Sequence, residues 1–227
     1  MNLFIGNFIE VLEEYHKTIG VDIVISENGK ADDSIIEYCE RNSISLYLVE
    51  SKVHFKRVSS SITKCELCIV ASFGLLLDNT LLSKIEWVVN IHPGDLLTCR
   101  GRHPLPFSIK QGLPFMSITA HIIEDGKIDN GPVVATLSLP IDYNQTYAYN
   151  DNKIRANLSF ITRLIIFQYK NEGRILTGKL DLSNAPYNKR LDGETLSQII
   201  DAKNLLEYSR QSGNHHQNHQ IYRMKKC

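Results

Sequence analysis

Three features are missing from this chain of 227 residues, and each absence excludes a class of protein. No apolar run approaches the roughly 18 residues of a membrane-spanning helix. Lys and Arg number 25, as do Asp and Glu, so the formal net charge is zero. The N-terminus has no basic leader, since polar residues follow its first apolar residues at once. We therefore expect a cytoplasmic protein with no membrane partner and no nucleic-acid partner, although a local basic pocket stays open.

Cysteine is also scarce. The chain has five, an odd number at irregular spacing, which is typical of reduced thiols and not of a disulfide framework. Cys65 and Cys68 have the spacing of a zinc or redox pair, but no second pair exists and the run that follows is apolar. Buried core cysteines are the favoured interpretation. We expect no metal.

The pattern that is present predicts an α/β fold. Apolar residues make up 43% of the chain and charged residues 22%, enough for a sizeable core. Short apolar runs alternate with amphipathic stretches. Strands are predicted at 2–5, 21–26, 46–49, 67–71 and 87–90, and helices at 8–19, 31–41 and 78–85. This rhythm indicates a mostly parallel sheet with helices on both faces.

The second half of the chain continues the pattern and then loses it. We predict a helix at 104–111, strands near 117–123 and 132–139, and a long helix at 151–170. After Gly173 turn-forming residues dominate, followed by one more helix at 195–209 and a possible strand at 220–224. We therefore predict a catalytic domain over 1–172 and a small C-terminal appendage over 173–227.

The most informative local pattern is a strand that runs into Asn-x-His. Asn90 and His92 are two residues apart, so their side chains point to the same side of the strand. Pro93 ends the strand. In parallel sheets ligands bind beyond the carboxyl ends of the strands. A hydrogen-bond donor beside a proton carrier at that place is typical of acyl transfer.

Further motifs accompany this pair. They are Ala-Ser-Phe-Gly-Leu-Leu at 71–76, Asn-Ile-His-Pro-Gly-Asp-Leu-Leu at 90–97, Arg-Gly-Arg-His-Pro at 100–104 and Ile-Asp-Asn-Gly at 128–131. In their order and separation they resemble the formyltransferases that use N10-formyltetrahydrofolate. The likeness is strongest between residues 69 and 131. It implies a Rossmann-like formyltransferase core in which Asn90, His92 and Asp129 are the catalytic residues.

The chemistry of these side chains agrees with that resemblance. Asn90 can stabilise the oxyanion, an interaction worth roughly 3–4 kcal/mol in comparable sites. His92 can accept or relay the amine proton, or stabilise the oxyanion when protonated. Asp129 can orient His92 or collect the proton. Each residue alone also has a structural explanation, as a turn cap, a buried histidine or a turn residue. Together they favour catalysis.

The resemblance also implies two sets of ligand contacts. The loop after the fourth predicted strand and the turn before Asp129 would bind the folate. Those residues are Phe73, Gly74, Leu75, Leu76, Asp125, Gly126 and Ile128. The motif that continues past the Asn-x-His strand would contact the acceptor. Those residues are Arg100, Gly101, Arg102 and His103. An ordinary strand-to-helix turn at 73–76 and a loop-fixing salt bridge at Arg100 are the alternatives.

Three formyl acceptors are open by resemblance. The glycinamide ribonucleotide enzymes carry a Gly-rich phosphate loop after the first strand, where this chain has one glycine, Gly6. The methionyl-tRNA enzymes carry a larger C-terminal domain and a basic surface, and only 174–227 follows Gly173 here. The motif at 100–106 is most similar to the sugar N-formyltransferases. These act on nucleotide-linked amino sugars for bacterial surface polysaccharides such as lipopolysaccharide O-antigen.

Other interpretations stay open. Phosphoribosylglycinamide formyltransferase is the second choice, and a non-catalytic nucleotide-binding module is the third. By resemblance the 173–227 appendage would support a homodimer. His215, His216 and His219 lie among Gln, Asn and Gly with no carboxylate or Cys to complete a metal site, so they indicate a solvated loop.

Overall fold

A seven-stranded sheet forms the centre of the computed structural model, which describes residues 1–31, 33–124 and 128–213. Its strands are β1 (Asn2–Gly6), β2 (Ile23–Glu27), β3 (Ser45–Val49), β4 (Cys65–Ala71), β5 (Ile85–His92), β7 (Phe115–Ile122) and β8 (Val133–Pro140). Their order across the sheet is β3-β2-β1-β4-β5-β7-β8. The first five are parallel, β7 runs antiparallel to β5, and β8 runs antiparallel to β7. Short strands β6 (Arg100–Gly101) and β9 (Tyr187–Asn188) pair with each other outside this sheet.

Helices cover both faces of the sheet. They are α1 (Ile9–Ile19), α2 (Asp33–Arg41), α3 (Lys52–Ser61), α4 (Asn79–Leu82), α5 (Pro104–Lys110), α6 (Tyr147–Glu172), α7 (Gly193–Asp201) and α8 (Leu205–Gln211). Buried side chains of α1, α2 and α6 pack with one face of the strands. Those of α3 and α4 pack with the other. The predicted α/β fold with a mostly parallel sheet is therefore confirmed.

Several element boundaries differ from the sequence prediction. The strand predicted to end at Asn90 continues to His92, because its last residue pairs with Thr119 of β7. The long helix begins at Tyr147, four residues early, because the Thr146 side chain accepts the backbone N–H of Tyr149 and caps it. Helix α3 was not predicted. The helix predicted at 195–209 is two helices, α7 and α8.

The part after Gly173 packs against the rest of the chain. Ile175, Leu191, Ile199 and Leu205 belong to the same buried cluster as α1 and α6. The domain boundary at residue 172 stays a prediction. The strand predicted at 220–224 and the histidines at 215–219 lie outside the described residues. None of the described helices has the length and apolar character needed to cross a membrane.

One local prediction concerns cysteine. Cys65 and Cys68 lie on β4, are fully buried and belong to the cluster beneath α3 and α4. Burial raises the pKa of both thiols. The prediction of buried core cysteines at this pair is confirmed, and neither thiol is poised as a thiolate ligand or nucleophile.

Candidate active site

The candidate catalytic residues meet where β5 ends. Asn90 and His92 share a face of β5, between parallel β4 and antiparallel β7. Asp129 reaches them from the turn between β7 and β8. His92 and Asp129 are 5% and 6% exposed. The three residues named from the sequence therefore lie in one cluster, in which Asn90 is half-buried and water screens the interactions of the two buried residues weakly.

Asp129 is the hub of this cluster. Its Oδ1 accepts a hydrogen bond from Asn90 Nδ2 at 3.2 Å, and its Oδ2 accepts the backbone N–H of Gly101 at 2.9 Å. The same Oδ1 lies 3.6 Å from His92 Nδ1, beyond hydrogen-bond distance. Burial favours the protonated acid, but the nearby His92 and the hydrogen bond from the Gly101 N–H help to hold the pKa of Asp129 below its ordinary value. The carboxyl group is therefore ionised at neutral pH.

His92 is oriented by a backbone carbonyl. Its Nε2 lies 2.9 Å from the Cys99 oxygen, which can only accept, so Nε2 carries the hydrogen. Nδ1 then holds the lone pair in the neutral ring and faces Asp129. Burial lowers the pKa of His92 from its ordinary value, against the opposing effects of Asp129 and the Cys99 carbonyl. A neutral ring with a basic Nδ1 beside a carboxylate can take up a proton and be stabilised as the imidazolium.

Two glycines permit these close approaches. A Cβ on Gly94 would meet His92 Nε2 and the Cys99 carbonyl, so the loop after β5 can fold over the imidazole only without a side chain there. A Cβ on Gly131 would collide with the Ile122 carbonyl. The turn that carries Asp129 can therefore pack against the end of β7 because residue 131 is glycine.

A cavity of about 330 Å³ opens over the cluster. The structure describes most of the site residues that were predicted from the sequence, and all of these except Arg100 line the cavity. They are Phe73, Gly74, Leu75, Leu76, Asn90, His92, Gly101, Arg102, His103, Ile128 and Asp129. Asp125 and Gly126 lie outside the described residues. The motifs at 71–76, 90–97 and 128–131 thus converge on one concave site, the shape in which small molecules usually bind.

Arg100 has a different environment. Its guanidinium donates to Asn130 Oδ1 at 2.9 Å, to the Ala185 carbonyl at 2.9 Å and to the Pro186 carbonyl at 3.5 Å. These contacts tie the β7–β8 turn to the segment that leads into β9. The side chain therefore stabilises the wall of the site, as the loop-fixing alternative expected, with main-chain carbonyls and an amide in place of a carboxylate.

The 73–76 loop is held by a residue that the sequence analysis did not single out. Glu27, at the end of β2, accepts the Gly74 N–H at 2.8 Å and pairs with Lys30 Nζ at 2.6 Å. Burial opposes its charge, but Lys30, the Gly74 N–H and Asn7 lower its pKa below the ordinary value. Leu75 and Leu76 line the cavity, and within the described residues their backbone N–H groups have no hydrogen-bond partner.

The connection between β1 and α1 is only two residues long. Asn7 Oδ1 accepts from Ser26 Oγ at 2.7 Å and from the Glu27 N–H at 3.2 Å, and its Nδ2 donates to Glu27 and to the Ser72 carbonyl. A Cβ on Gly6 would collide with the Ala71 carbonyl. This connection is tightly bonded and lies next to a carboxylate, so it is unsuited to a phosphate group.

Beyond His103 lies a second cavity of about 230 Å³. It shares Pro93, His103 and Pro104 with the first, and Phe8 and Tyr147 form its aromatic side. Burial lowers the pKa of His103, and the nearby charges of Arg190 and Arg102 lower it further. Arg102 is exposed, and its guanidinium has no partner in the described part of the chain. Two cations therefore flank the wall between the two cavities.

His121 is a second residue that sequence reasoning missed. It lies on β7 directly across from Asn90, is 1% exposed and lines the first cavity. No local signal marks it, because a single histidine in an apolar run is usually a buried structural residue. Only the register between β5 and β7 brings it to the site.

Among the residues that the structure describes, no group of three or more His, Cys, Asp or Glu side chains is arranged to hold a metal.

Comparison with known proteins relates the chain to one family by sequence. Residues 30–159 match the formyl transferase family model. A methionyl-tRNA formyltransferase of Rhizorhabdus wittichii is 27% identical over 101 residues, which are 44% of this chain and 32% of that protein. The phosphoribosylglycinamide formyltransferase of Bacillus subtilis is 25% identical over 134 residues, 55% of this chain and 68% of that enzyme. The chain thus spans about a third of the first relative's length.

Solved structures share the fold. WlaRD, a sugar 3N-formyl transferase solved in the presence of dTDP and 5-N-formyl-THF, has a TM-score of 0.68 at 18% identity, over 83% of this chain and 69% of its own. An N-formyltransferase from Helicobacter canadensis, in complex with folinic acid and dTDP-3-aminofucose, has a TM-score of 0.66 at 15% identity. The match covers 83% of this chain and 70% of that one. The phosphoribosylglycinamide formyltransferase of Bacillus halodurans has a TM-score of 0.62 at 20% identity. The match covers 77% of this chain and 98% of that one.

Proposed function

Because this chain belongs to the formyl transferase family, we propose that it transfers a formyl group from N10-formyltetrahydrofolate to the amino group of a nucleotide-linked amino deoxysugar. The observation that carries the proposal is the convergence of Asn90, His92 and Asp129 at the floor of one cavity. An amide donor, a buried neutral imidazole and an ionised carboxylate are the groups that formyl transfer to an amine requires.

The folate fits the first cavity. Leu75, Leu76 and Ile128 give it apolar walls. The backbone amides at 75 and 76, which have no partner among the described residues, can donate hydrogen bonds to a flat polar ring. Glu27 holds this loop through the Gly74 N–H, so the loop is formed before the ligand arrives. When bound, the folate supplies the formyl carbon as the electrophile.

The side chains of the cluster divide the remaining work. His92 Nδ1, the unprotonated ring nitrogen, takes the proton that the acceptor amine loses as its nitrogen bonds to the formyl carbon. When the bond from that carbon to the donor nitrogen breaks, this proton passes to the leaving nitrogen and tetrahydrofolate is released. Asp129, 3.6 Å away, stabilises the resulting imidazolium. Asn90 donates a hydrogen bond to the oxygen on which negative charge develops. The Cys99 carbonyl keeps the imidazole in the tautomer that this assignment needs.

Residues on two sides of the site favour an amino-sugar nucleotide as the acceptor. The two-residue β1–α1 connection is bonded to Glu27 and offers no phosphate loop, which counts against glycinamide ribonucleotide. On the other side Arg102 and Arg190 lie near His103, where they match a diphosphate. The second cavity begins at the same wall and gives room for the rest of the acceptor. Two solved structures of the same fold contain dTDP or dTDP-3-aminofucose.

An acceptor panel tests this proposal. Purified protein is incubated with N10-formyltetrahydrofolate and, in separate reactions, with dTDP-, UDP- and GDP-linked amino sugars, glycinamide ribonucleotide and methionyl-tRNA. We expect an N-formyl product with at least one amino-sugar nucleotide, detected by mass spectrometry. Transfer to glycinamide ribonucleotide or methionyl-tRNA alone would overturn the sugar assignment. Absence of transfer to every acceptor would favour the non-catalytic module.

Three further expectations depend on this function and stay predictions. They are the cytoplasmic location, the homodimer through residues 173–227 and the role in O-antigen synthesis. Sedimentation analysis of the full chain tests the second.

A further inference from the structure

His121 is a buried histidine that the assignment of Asn90, His92 and Asp129 does not use. Its Nδ1 lies 3.1 Å from the carbonyl oxygen of Ile122, and its Nε2 lies 3.0 Å from Asn90 Nδ2. The same Nε2 lies 3.4 Å from Asp129 Oδ1. The ring therefore contacts two of the three candidate catalytic residues without belonging to either of their strands or turns.

These contacts determine the tautomer of the ring. The Ile122 carbonyl can only accept, so Nδ1 carries the hydrogen, and in the neutral ring Nε2 holds a lone pair. Asn90 Nδ2 can only donate. The Asn90 amide therefore donates to His121 Nε2, and the opposite amide orientation would place its oxygen against the Asp129 carboxylate.

The distances also show how the two N–H bonds of Asn90 are used. Acceptors placed on both N–H bonds of one amide, each about 3 Å from its nitrogen, would lie about 5 Å apart. His121 Nε2 and Asp129 Oδ1 are only 3.4 Å apart. One N–H therefore points between these two acceptors and is shared by them. The other N–H remains for a ligand in the cavity.

We propose that His121 is a positioning residue for formyl transfer. Its Nε2 lone pair acts with Asp129 to fix one N–H of Asn90, so that the second N–H is aimed at the oxygen that becomes negative. The inference rests on the proposed function and goes beyond the residues that the family resemblance names. It predicts that His121 acts through Asn90 and has no direct contact with the reacting atoms.

Two conservative variants separate the two nitrogens of the ring. His121→Asn places an amide near the Nδ1 position and keeps the Ile122 bond, but it removes the acceptor for Asn90. His121→Gln places an amide oxygen near Nε2 and keeps that acceptor. We expect kcat to fall roughly 100-fold in His121→Asn, with little change in KM, and to recover most of the wild-type value in His121→Gln. Equal loss in both variants would overturn the proposal.

A double-mutant cycle tests whether His121 acts through Asn90. If it does, Asn90→Ala and the Asn90→Ala/His121→Asn pair have the same kcat to within about 2-fold, because the interaction is already lost. Effects that multiply would show that His121 acts independently of Asn90 and would contradict the proposal. Thermal unfolding of each variant identifies any rate lost through unfolding.

A measurement without turnover separates this inference from the proposed function. In ¹⁵N spectra of the wild-type protein, with or without 5-formyltetrahydrofolate, we expect the His121 ring as the Nδ1–H tautomer and one downfield-shifted Asn90 amide proton. The Nε2–H tautomer would overturn the positioning role. If the wild type transfers no formyl group while the Nδ1–H tautomer is found, the proposed function fails and the predicted geometry stands.

Discussion

The carbonyl oxygen of Cys99 lies 2.9 Å from Nε2 of His92, and this contact decides which ring nitrogen is available for chemistry. Since Nε2 carries the hydrogen, the basic atom is Nδ1, on the side of Asp129. The orienting group of this histidine is thus a backbone carbonyl from the loop after β5. The carboxylate is left to hold Asn90 and to stabilise a positive charge.

The pH dependence of activity follows from this arrangement. His92 must be neutral to take a proton, so kcat/KM falls as the pH drops through its pKa. Burial lowers that pKa from about 6.5, while Asp129 and, more weakly, Asp95 raise it and His121 lowers it. We expect the acid limb of the profile below the pH of a free histidine. In Asp129→Asn the negative charge that raises the pKa of His92 is gone. The acid limb of the pH profile therefore moves to still lower pH, while the maximal rate falls.

A pH–rate series for the wild type, Asp129→Asn and an exposed control, Asp181→Asn, checks this expectation. The control lies in the segment before β9 and is expected to keep the wild-type profile. A limb that moves to higher pH in Asp129→Asn would contradict the assignment of His92 as the proton acceptor.

Gly131→Ala tests the close approach that seats Asp129. The new Cβ would meet the Ile122 carbonyl, so the turn must shift away from β7, at a cost of about 1–3 kcal/mol in the free energy of unfolding. Activity should fall more than stability, because Asp129 moves. Gly193→Ala is the matched control, since no atom lies within 4 Å of its Cβ. Urea unfolding and kcat measure both, and unchanged activity in Gly131→Ala would contradict the account.

Glu27→Gln tests the anchor of the 73–76 loop. The amide can no longer hold both the Gly74 N–H and the Lys30 ammonium, so the loop loses its preformed shape. We expect KM for the formyl donor to rise about 10-fold, with kcat nearly unchanged, because Glu27 lies away from the cluster at Asp129. Glu50→Gln is the exposed control. A fall in kcat at constant KM would indicate a different role.

Arg102→Gln tests the acceptor side. The exposed guanidinium beside His103 and Arg190 is proposed to bind the diphosphate, and charge-assisted hydrogen bonds of this kind contribute roughly 1.5–3 kcal/mol. We expect KM for the amino-sugar nucleotide to rise at least 10-fold and KM for the formyl donor to stay constant. Arg57→Gln, on α3, is the control. An unchanged acceptor KM, or a donor KM that rises instead, would place the diphosphate elsewhere.

Much of the architecture follows from local pattern, and its exceptions have local causes. The βα alternation was readable because buried strands are short and apolar. Helix α3 (Lys52–Ser61) was missed because its buried face consists of only Phe55, Val58 and Ser59, too little for a clear period. The start of α6 was placed late because the cap at Thr146 was not recognised.

The site was predictable where its residues share a strand or a motif. Asn90 and His92 are two apart on β5, and Asp129 was identified from its motif and the family resemblance. Glu27 and His121 were not, because their roles arise from the pairing of separate strands. His121 is brought to Asn90 by an antiparallel register across 31 residues of sequence, and a sequence contains no local signal for such a register.

The central claim is that formyl transfer depends on Asn90 and His92. Its most direct test follows a ¹³C-labelled formyl group from N10-formyltetrahydrofolate to the acceptor identified in the panel, using the wild type, Asn90→Ala and His92→Ala. All three must also be shown to fold and to bind 5-formyltetrahydrofolate. The account predicts a labelled N-formyl product with the wild type and a rate lower by roughly 10²–10³-fold or more in each variant. Transfer at the wild-type rate by either folded variant would contradict it.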